Sequence, residues 1–406
     1  MRSRTLLLAA LAASTLTGCT QTAVTLWTNV PEIVPAVELF NASQDEHVVE
    51  IVYQAQLGSA LRLAETPPDL VVGTFIEDRR TARLFAPLDR FLRRELDRDE
   101  FYGELLASGA EDGRQHLLPV AFNLPLVYFT SEVPPVGESI VRTPAEIRAV
   151  GEAFNAQEDE RWIRLAYSPI WNPSFLYEYL RLQGFVASEA DDGAPEWSFE
   201  ALVSGVAGAR EWLEAHGGAE ADLAFQEKYL YDPQVELVRR GRVAFGYEAS
   251  DSYMSLSNAR RDGLGFRWLG EERSIRVLER VVYAGIPAGA RSTAGAERFL
   301  ADLFALDRQI TLVESSLRKR LDPFGVAGGF SSLWRMNEEH LGDYYPELRD
   351  RIPPAAWLDF PPPSPRHWGE IVTEVVEPWL IREVTGTPQA RDLESSVRAW
   401  LLQQED

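Results

Sequence analysis

The chain has 406 residues, 62 Asp and Glu against 40 Lys and Arg, a formal net charge of −22 and one cysteine. That length holds two domains or one large bilobed body, and 45% hydrophobic with 25% charged residues is ordinary globular composition, against wholesale disorder. The acidic balance argues against nucleic acid and against docking on anionic lipid, and one cysteine rules out a disulfide framework.

Arg2 and Arg4 precede an apolar run from Leu6 to Ala13, followed by small or polar residues to Gly18. This is the layout of an export signal over residues 1–18, too short to span a bilayer as a mature helix. It ends in Leu16-Thr17-Gly18-Cys19, which resembles the lipobox of bacterial lipoproteins. The resemblance implies that Cys19 becomes the lipid-bearing first residue of an exported, membrane-tethered body facing the periplasm or cell exterior. No later run is apolar enough to span a membrane.

Val24 to Trp27 reads as a strand, and Asn29 with Glu32 reads as the capped start of a helix burying Ile33, Val37 and Phe40. Val48 to Gln54 is β-branched and predicts a second strand, and Asp69 to Gly73 a third. Leu117 to Phe129, broken by Pro125, suits a crossover between lobes better than one buried strand. Thr143-Pro144-Ala145-Glu146 is a capping box, and Ser198 opens a helix reaching Trp212. Gly241 to Tyr247 predicts a strand, Val281 to Ile286 another, and Thr293 starts a helix with Phe299, Leu300, Leu303 and Phe304 on one face. Pro353 to Pro365 reads as loop, and the helical period returns from Trp368. Strands alternating with helices predict an α/β fold.

The order of these segments resembles the family 1 extracellular solute-binding proteins, the receptors of ABC importers. The resemblance rests on VTLWTN (24–29), PPDLVVG (67–73), FAPLDRFL (85–92), GRQHLLPVAFNLPLVYF (113–129), LVRRGRVAFGYEAS (237–250) and AGIPAGARSTAGAERFLADLF (284–304). It implies a two-lobed type II clamp, each lobe a mixed sheet covered by helices. The expected division is residues 19–122 with about 284–313 as lobe 1, and about 123–283 with 314–406 as lobe 2. It further implies a monomeric receptor that closes about a hinge on a small solute, most often a sugar or oligosaccharide, for delivery to an ABC permease. No cofactor or metal is expected.

Ligand contacts are expected where strands end in the crevice. Trp27 closes the first strand, and Gly73 and Thr74 close the third; Asn123 lies in the crossover as either a hinge brace or a ligand contact. Trp171 and Asn172 precede a helix, and Tyr247 and Glu248 follow the VAFG stretch. Rings beside amides and acids suit sugars, which offer apolar C–H faces and polar edges. An exported carbohydrate-active enzyme is the rival reading, and a non-transport surface lipoprotein the third. The five histidines are scattered and no G-x-S-x-G elbow occurs. Replacing Cys19 with Ala should move the protein from the membrane fraction to the soluble fraction; continued retention would sink the anchor.

Overall fold

The computed structural model describes residues 21–133, 139–190, 194–319 and 323–404; Cys19 and the leader lie outside them. Strand β1 (Thr22–Thr28) pairs in parallel with β2 (His47–Tyr53) on one side and β3 (Leu70–Thr74) on the other. Helices α1 (Val34–Ser43) and α2 (Leu57–Leu63) connect them. Ile33, Val37 and Phe40 are buried on the predicted face. The expected cap at Asn29 is not made: a short 3₁₀ turn, Pro31–Ile33, starts after Val30 without a side-chain cap. Asn29 bonds across to β3 instead, as described below.

Strand β4 (Leu118–Phe122) belongs to this first sheet, and β5 (Pro125–Thr130), two residues later, belongs to another. Pro125 stands at the first position of β5, where a strand tolerates its missing N–H. The second sheet adds β6 (Val141–Arg142), β7 (Gly246–Ala249) and β8 (Leu264–Leu269), in the order β7-β5-β8-β6. The predicted strand at Gly241 to Tyr247 therefore starts late. Residues 241–245 make a left-handed turn at Gly241 and a single bridge from Val243 to Leu165. The chain then returns: β9 (Val282–Gly285) inserts antiparallel between β3 and β4, and β10 (Phe330–Ser331) pairs with β4. The first sheet reads β10-β4-β9-β3-β1-β2.

Helices cover both sheets. In the second lobe, α3 (Pro144–Phe154) starts with the predicted capping box, Thr143 N bonding Glu146 Oε2 at 2.9 Å and Glu146 N bonding Thr143 Oγ1 at 3.2 Å. Beyond it lie α4 (Pro173–Leu182) and α5 (Phe199–Glu214), whose cap is the Ser198 hydroxyl. In the first lobe, α6 (Thr293–Leu303) and α7 (Leu306–Lys319) follow β9. A helical run then begins at Trp368, passes a π turn over Val372–Val376 and continues through Glu377–Thr385; α8 (Leu393–Gln404) ends the described chain. These last helices share a buried cluster with α4 and α5 that includes Leu176, Leu180, Leu202, Trp368 and Leu380. The return to the second lobe comes later than residue 314, because α7 continues to Lys319 and Phe330 stacks on Phe122 of β4 at 5.7 Å. Among the described residues, no helix is long and apolar enough to cross a membrane.

The crossings are pinned by buried polar groups. Asn123, 5% exposed, donates from Nδ2 to Gly328 O at 2.9 Å and accepts the Ser250 hydroxyl on Oδ1 at 2.6 Å. Its backbone carbonyl accepts Leu278 N at 2.9 Å. Further out, Tyr177 OH and Trp368 Nε1 both donate to Glu279 Oε2, at 2.7 and 2.9 Å, tying α4 and the last helices to the segment that leads into β9. Removing one member of a buried hydrogen-bonded set leaves its partners unsatisfied, at about 1–3 kcal/mol per group. Asn123→Ala should therefore lower the unfolding free energy by roughly 2–4 kcal/mol in urea titration; a loss below about 1 kcal/mol would show that the hinge is held elsewhere.

Candidate ligand cleft

Three parallel strands of the first lobe end at one edge. Asn29 follows β1, Gln56 follows β2 and Thr74 closes β3. In open α/β sheets this edge is where ligands bind. Here it faces the helical run of the second lobe, and the two enclose a polar cavity of about 160 Å³. Asn29, Ser59, Arg62 and Thr74 line it from the first lobe, and His367 and Glu370 from the second.

Each of these groups is oriented by bonds within the fold. Asn29 Oδ1 accepts Thr74 N at 3.0 Å, and its Nδ2 donates to Thr74 Oγ1 at 3.2 Å, locking the ends of β1 and β3 together. Gly73 makes this approach possible, since a Cβ there would lie 2.1 Å from Leu57 Cδ1 and 2.6 Å from Asn29 Oδ1. Arg62 reaches in from α2, donating to Thr81 Oγ1 and Ser59 Oγ at 3.0 Å each. Its Nη2 also lies 3.5 Å from His367 Nε2 across the cleft. Burial lowers the pKa of His367, and the Arg62 charge adds to the effect while Glu370 opposes it. A neutral imidazole is what lets Nε2 accept from the guanidinium. Beside the cavity, the Phe75 ring crosses to the second lobe and lies against Gly369, where a Cβ would meet it at 2.5 Å.

The expected contacts distribute unevenly about this cavity. Thr74 lines it, and Gly73 shapes it from behind. Trp27 is half-buried against the first-lobe core, directly opposite Val71 of β3 and Val52 of β2. Asn123 has both side-chain polar atoms engaged in the hinge. Trp171 donates to Asp222 Oδ1 at 2.9 Å and stacks on Phe225, with ring centroids 5.4 Å apart. Asn172 caps α4, its Oδ1 accepting Ser174 N and Phe175 N. Tyr247 is buried edge-on to Phe175. Glu248 is half-buried near the end of β7, and burial, with Asp251 nearby, pushes its carboxyl up to about 7. Arg62, His367 and Glu370 were not singled out in the sequence. Arg62 and His367 stand 305 residues apart, and no local pattern marks such a pair.

Just past β3, Glu77 is 5% exposed, and its Oε2 has no hydrogen-bond partner. Burial, aided by Asp78, raises its pKa from 4.5 to about 7, against the opposing hydrogen bond from Ser364. The folded state thus favours protonated Glu77. That contribution is complete below the unfolded pKa of 4.5 and is lost as pH rises through about 7. Glu77→Gln should raise stability at pH 8 by up to ~3 kcal/mol and change it little at pH 5. Equal effects in thermal melts at both pH values would mean that Glu77 does not titrate between them.

No protein-family model matches the chain, and no curated protein matches it in sequence. Solved structures do resemble it. An ABC substrate-binding protein from Listeria monocytogenes in complex with cycloalternan superposes with a TM-score of 0.63 at 11% identity, covering 95% of this chain and 99% of its own. The maltose/maltodextrin-binding domain from Bdellovibrio bacteriovorus bound to maltotriose gives 0.59 at 16% identity, covering 95% and 100%. A sugar transporter from Rhizobium etli in an open conformation gives 0.64 at 13% identity, covering 93% and 98%. The chain therefore has the two-lobed type II clamp fold of these substrate-binding proteins.

Proposed function

We propose that this chain is an extracytoplasmic receptor that captures a sugar or oligosaccharide between its lobes and delivers it to an ABC importer. The observation that carries the reading is the cleft, where strand ends of one lobe and helices of the other bring Arg62, Thr74, His367 and Glu370 together around one polar cavity. Guanidinium and carboxylate groups offer the multiple donors and acceptors that a hydroxyl-rich ligand requires. The resembling structures hold cycloalternan and maltotriose, which supports the same ligand class here. Closure is the means of capture: a solute that binds the closed form better than the open form shifts the lobes together. Lipid attachment at Cys19 would keep the receptor beside its permease.

A thermal-shift screen of residues 20–406 against maltose, maltotriose, mannobiose, amino acids and polyamines tests this reading. A saccharide at about a hundredfold over its dissociation constant should stabilise the fold by roughly 2.7 kcal/mol. Arg62→Ala and Glu370→Ala, from opposite lobes, should each weaken that binding by about 1–3 kcal/mol. A selective shift with polyamines or amino acids and none with saccharides would overturn the sugar assignment.

A further inference from the structure

Arg62 is half-buried, and bonds to both lobes place its guanidinium in the interlobe cleft. Nη2 lies between Ser59 Oγ of the first lobe, at 3.0 Å, and His367 Nε2 of the second, at 3.5 Å. All three residues line the cavity. Nη1 is held by Thr81 Oγ1 at 3.0 Å. Among the described residues these bonds go to two hydroxyls and an imidazole, and none goes to a carboxylate. By contrast, Arg181 is paired with Glu178 and Arg308 with Asp302, each at 2.8 Å, and Arg276 with Asp359 at 3.5 Å. A cation drawn partly out of water without a counter-ion carries a desolvation cost that an anion would offset. Burial is accordingly the largest influence on Arg62, and it lowers the pKa.

The surrounding charges do not cancel that cation. Asp78 acts on it most strongly, but Asp78 Oδ1 already accepts Arg80 N at 3.2 Å and Thr81 N at 3.0 Å. Glu370 acts less, and Arg366 and Arg80 oppose both acids. A guanidinium has five N–H donors, of which the two hydroxyls and the imidazole take three. The rest of the wall suits hydroxyls, since Gln56, Thr373 and Glu370 line the same cavity. At about 160 Å³ the cavity is smaller than the roughly 300–1,000 Å³ of sites for drug-sized ligands, which suits one sugar unit or the end of a chain. Glu370 on the facing lobe disfavours a second negative charge on that unit.

We infer that the cleft selects an acidic saccharide, a sugar unit whose single carboxylate docks on Arg62 and whose hydroxyls meet the polar wall. This rests on the receptor reading above and narrows its ligand class. Calorimetric titration of the protein with glucuronate and galacturonate, against glucose and galactose, tests it, because each pair differs only in the carboxylate. Each uronate should bind about tenfold or more tighter than its neutral counterpart, and added salt should narrow the gap. Arg62→Met should abolish the preference, and Arg62→Lys, which keeps the charge, should retain part of it. The ratio is the readout, because a loosened or misfolded site weakens both sugars alike. Neutral sugars binding as tightly as the uronates would overturn the acidic assignment and leave the receptor reading standing, and so would a preference that survives Arg62→Met. Tighter binding of glucosamine or of succinate would also overturn it, the first by the sign of the charge and the second by the missing ring. If neither uronate binds, the acidic assignment fails; if maltose, maltotriose and mannobiose fail as well, the saccharide receptor falls with it.

Discussion

Asn123 joins stretches of chain that are far apart in sequence: the first crossing, the segment before β9 at Leu278, the glycine turn at Gly328 and Ser250 just after β7. A chain that leaves and re-enters each lobe needs such a joint, because otherwise each crossing could slide against the others. The partners are also matched in chemistry. Ser250 Oγ donates to Asn123 Oδ1 and accepts from Leu124 N at 3.1 Å, while Ser250 N bonds Leu124 O at 2.9 Å. Both side-chain polar atoms of Asn123 and its carbonyl are thereby engaged, and buried polar groups stabilise rather than cost when they are paired in this way. With the joint set, the strand ends of the first lobe face the last helices of the second, and the position of the cleft follows.

Inside the cleft, geometry matters more than net charge. The chain carries −22 overall, yet its cavity holds Arg62 beside Asp78 and Glu370, so the acidic surface does not report the chemistry of the site. Most of the acids lie elsewhere; some form exposed pairs one helical turn apart, such as Arg398 with Glu394 and Arg335 with Glu339. Pairs of that kind contribute at most a few tenths of a kcal/mol and place nothing. Arg62 differs, since it is held by two hydroxyls, Thr81 and Ser59, and its orientation is set before any ligand arrives.

Local signals in the sequence were readable where the physics is local. The capping box at Thr143, the Ser198 cap, the apolar face of α6 and the break at Pro125 each concern residues within a few positions of one another. The motif at Asp69 was readable as well, and its reason is now visible. Oδ1 takes Arg291 N and Ser292 N, Oδ2 takes Thr25 N, and the middle of β1 and the starts of β3 and α6 meet on one carboxylate. Long-range choices were not readable. Asn29 is equally good as a helix cap or a cross-strand tie, and the nearness of Thr74 in space decided it. Asn172 was placed correctly at a helix start, but the cap itself takes up the side chain. Arg62 and His367 meet only because the last helices fold back over α2.

Contacts across the cleft bear on how closure is driven. Phe75, held at a left-handed φ of 56°, packs against Gly369; Arg62 approaches His367; and Arg79 N donates to Glu189 Oε2 at 3.2 Å. All three join the lobes through protein alone. A ligand can shift an equilibrium only by its difference in affinity between the two forms. Contacts that the protein makes with itself in the closed form reduce the difference the ligand must supply. Phe75 itself carries a local cost, since a non-glycine residue held at a left-handed φ costs of order 1 kcal/mol. The facing of the two lobes is thus supported by three contacts at separate points of the chain, Phe75 with Gly369, Arg62 with His367 and Arg79 with Glu189, which together frame the polar cavity between them.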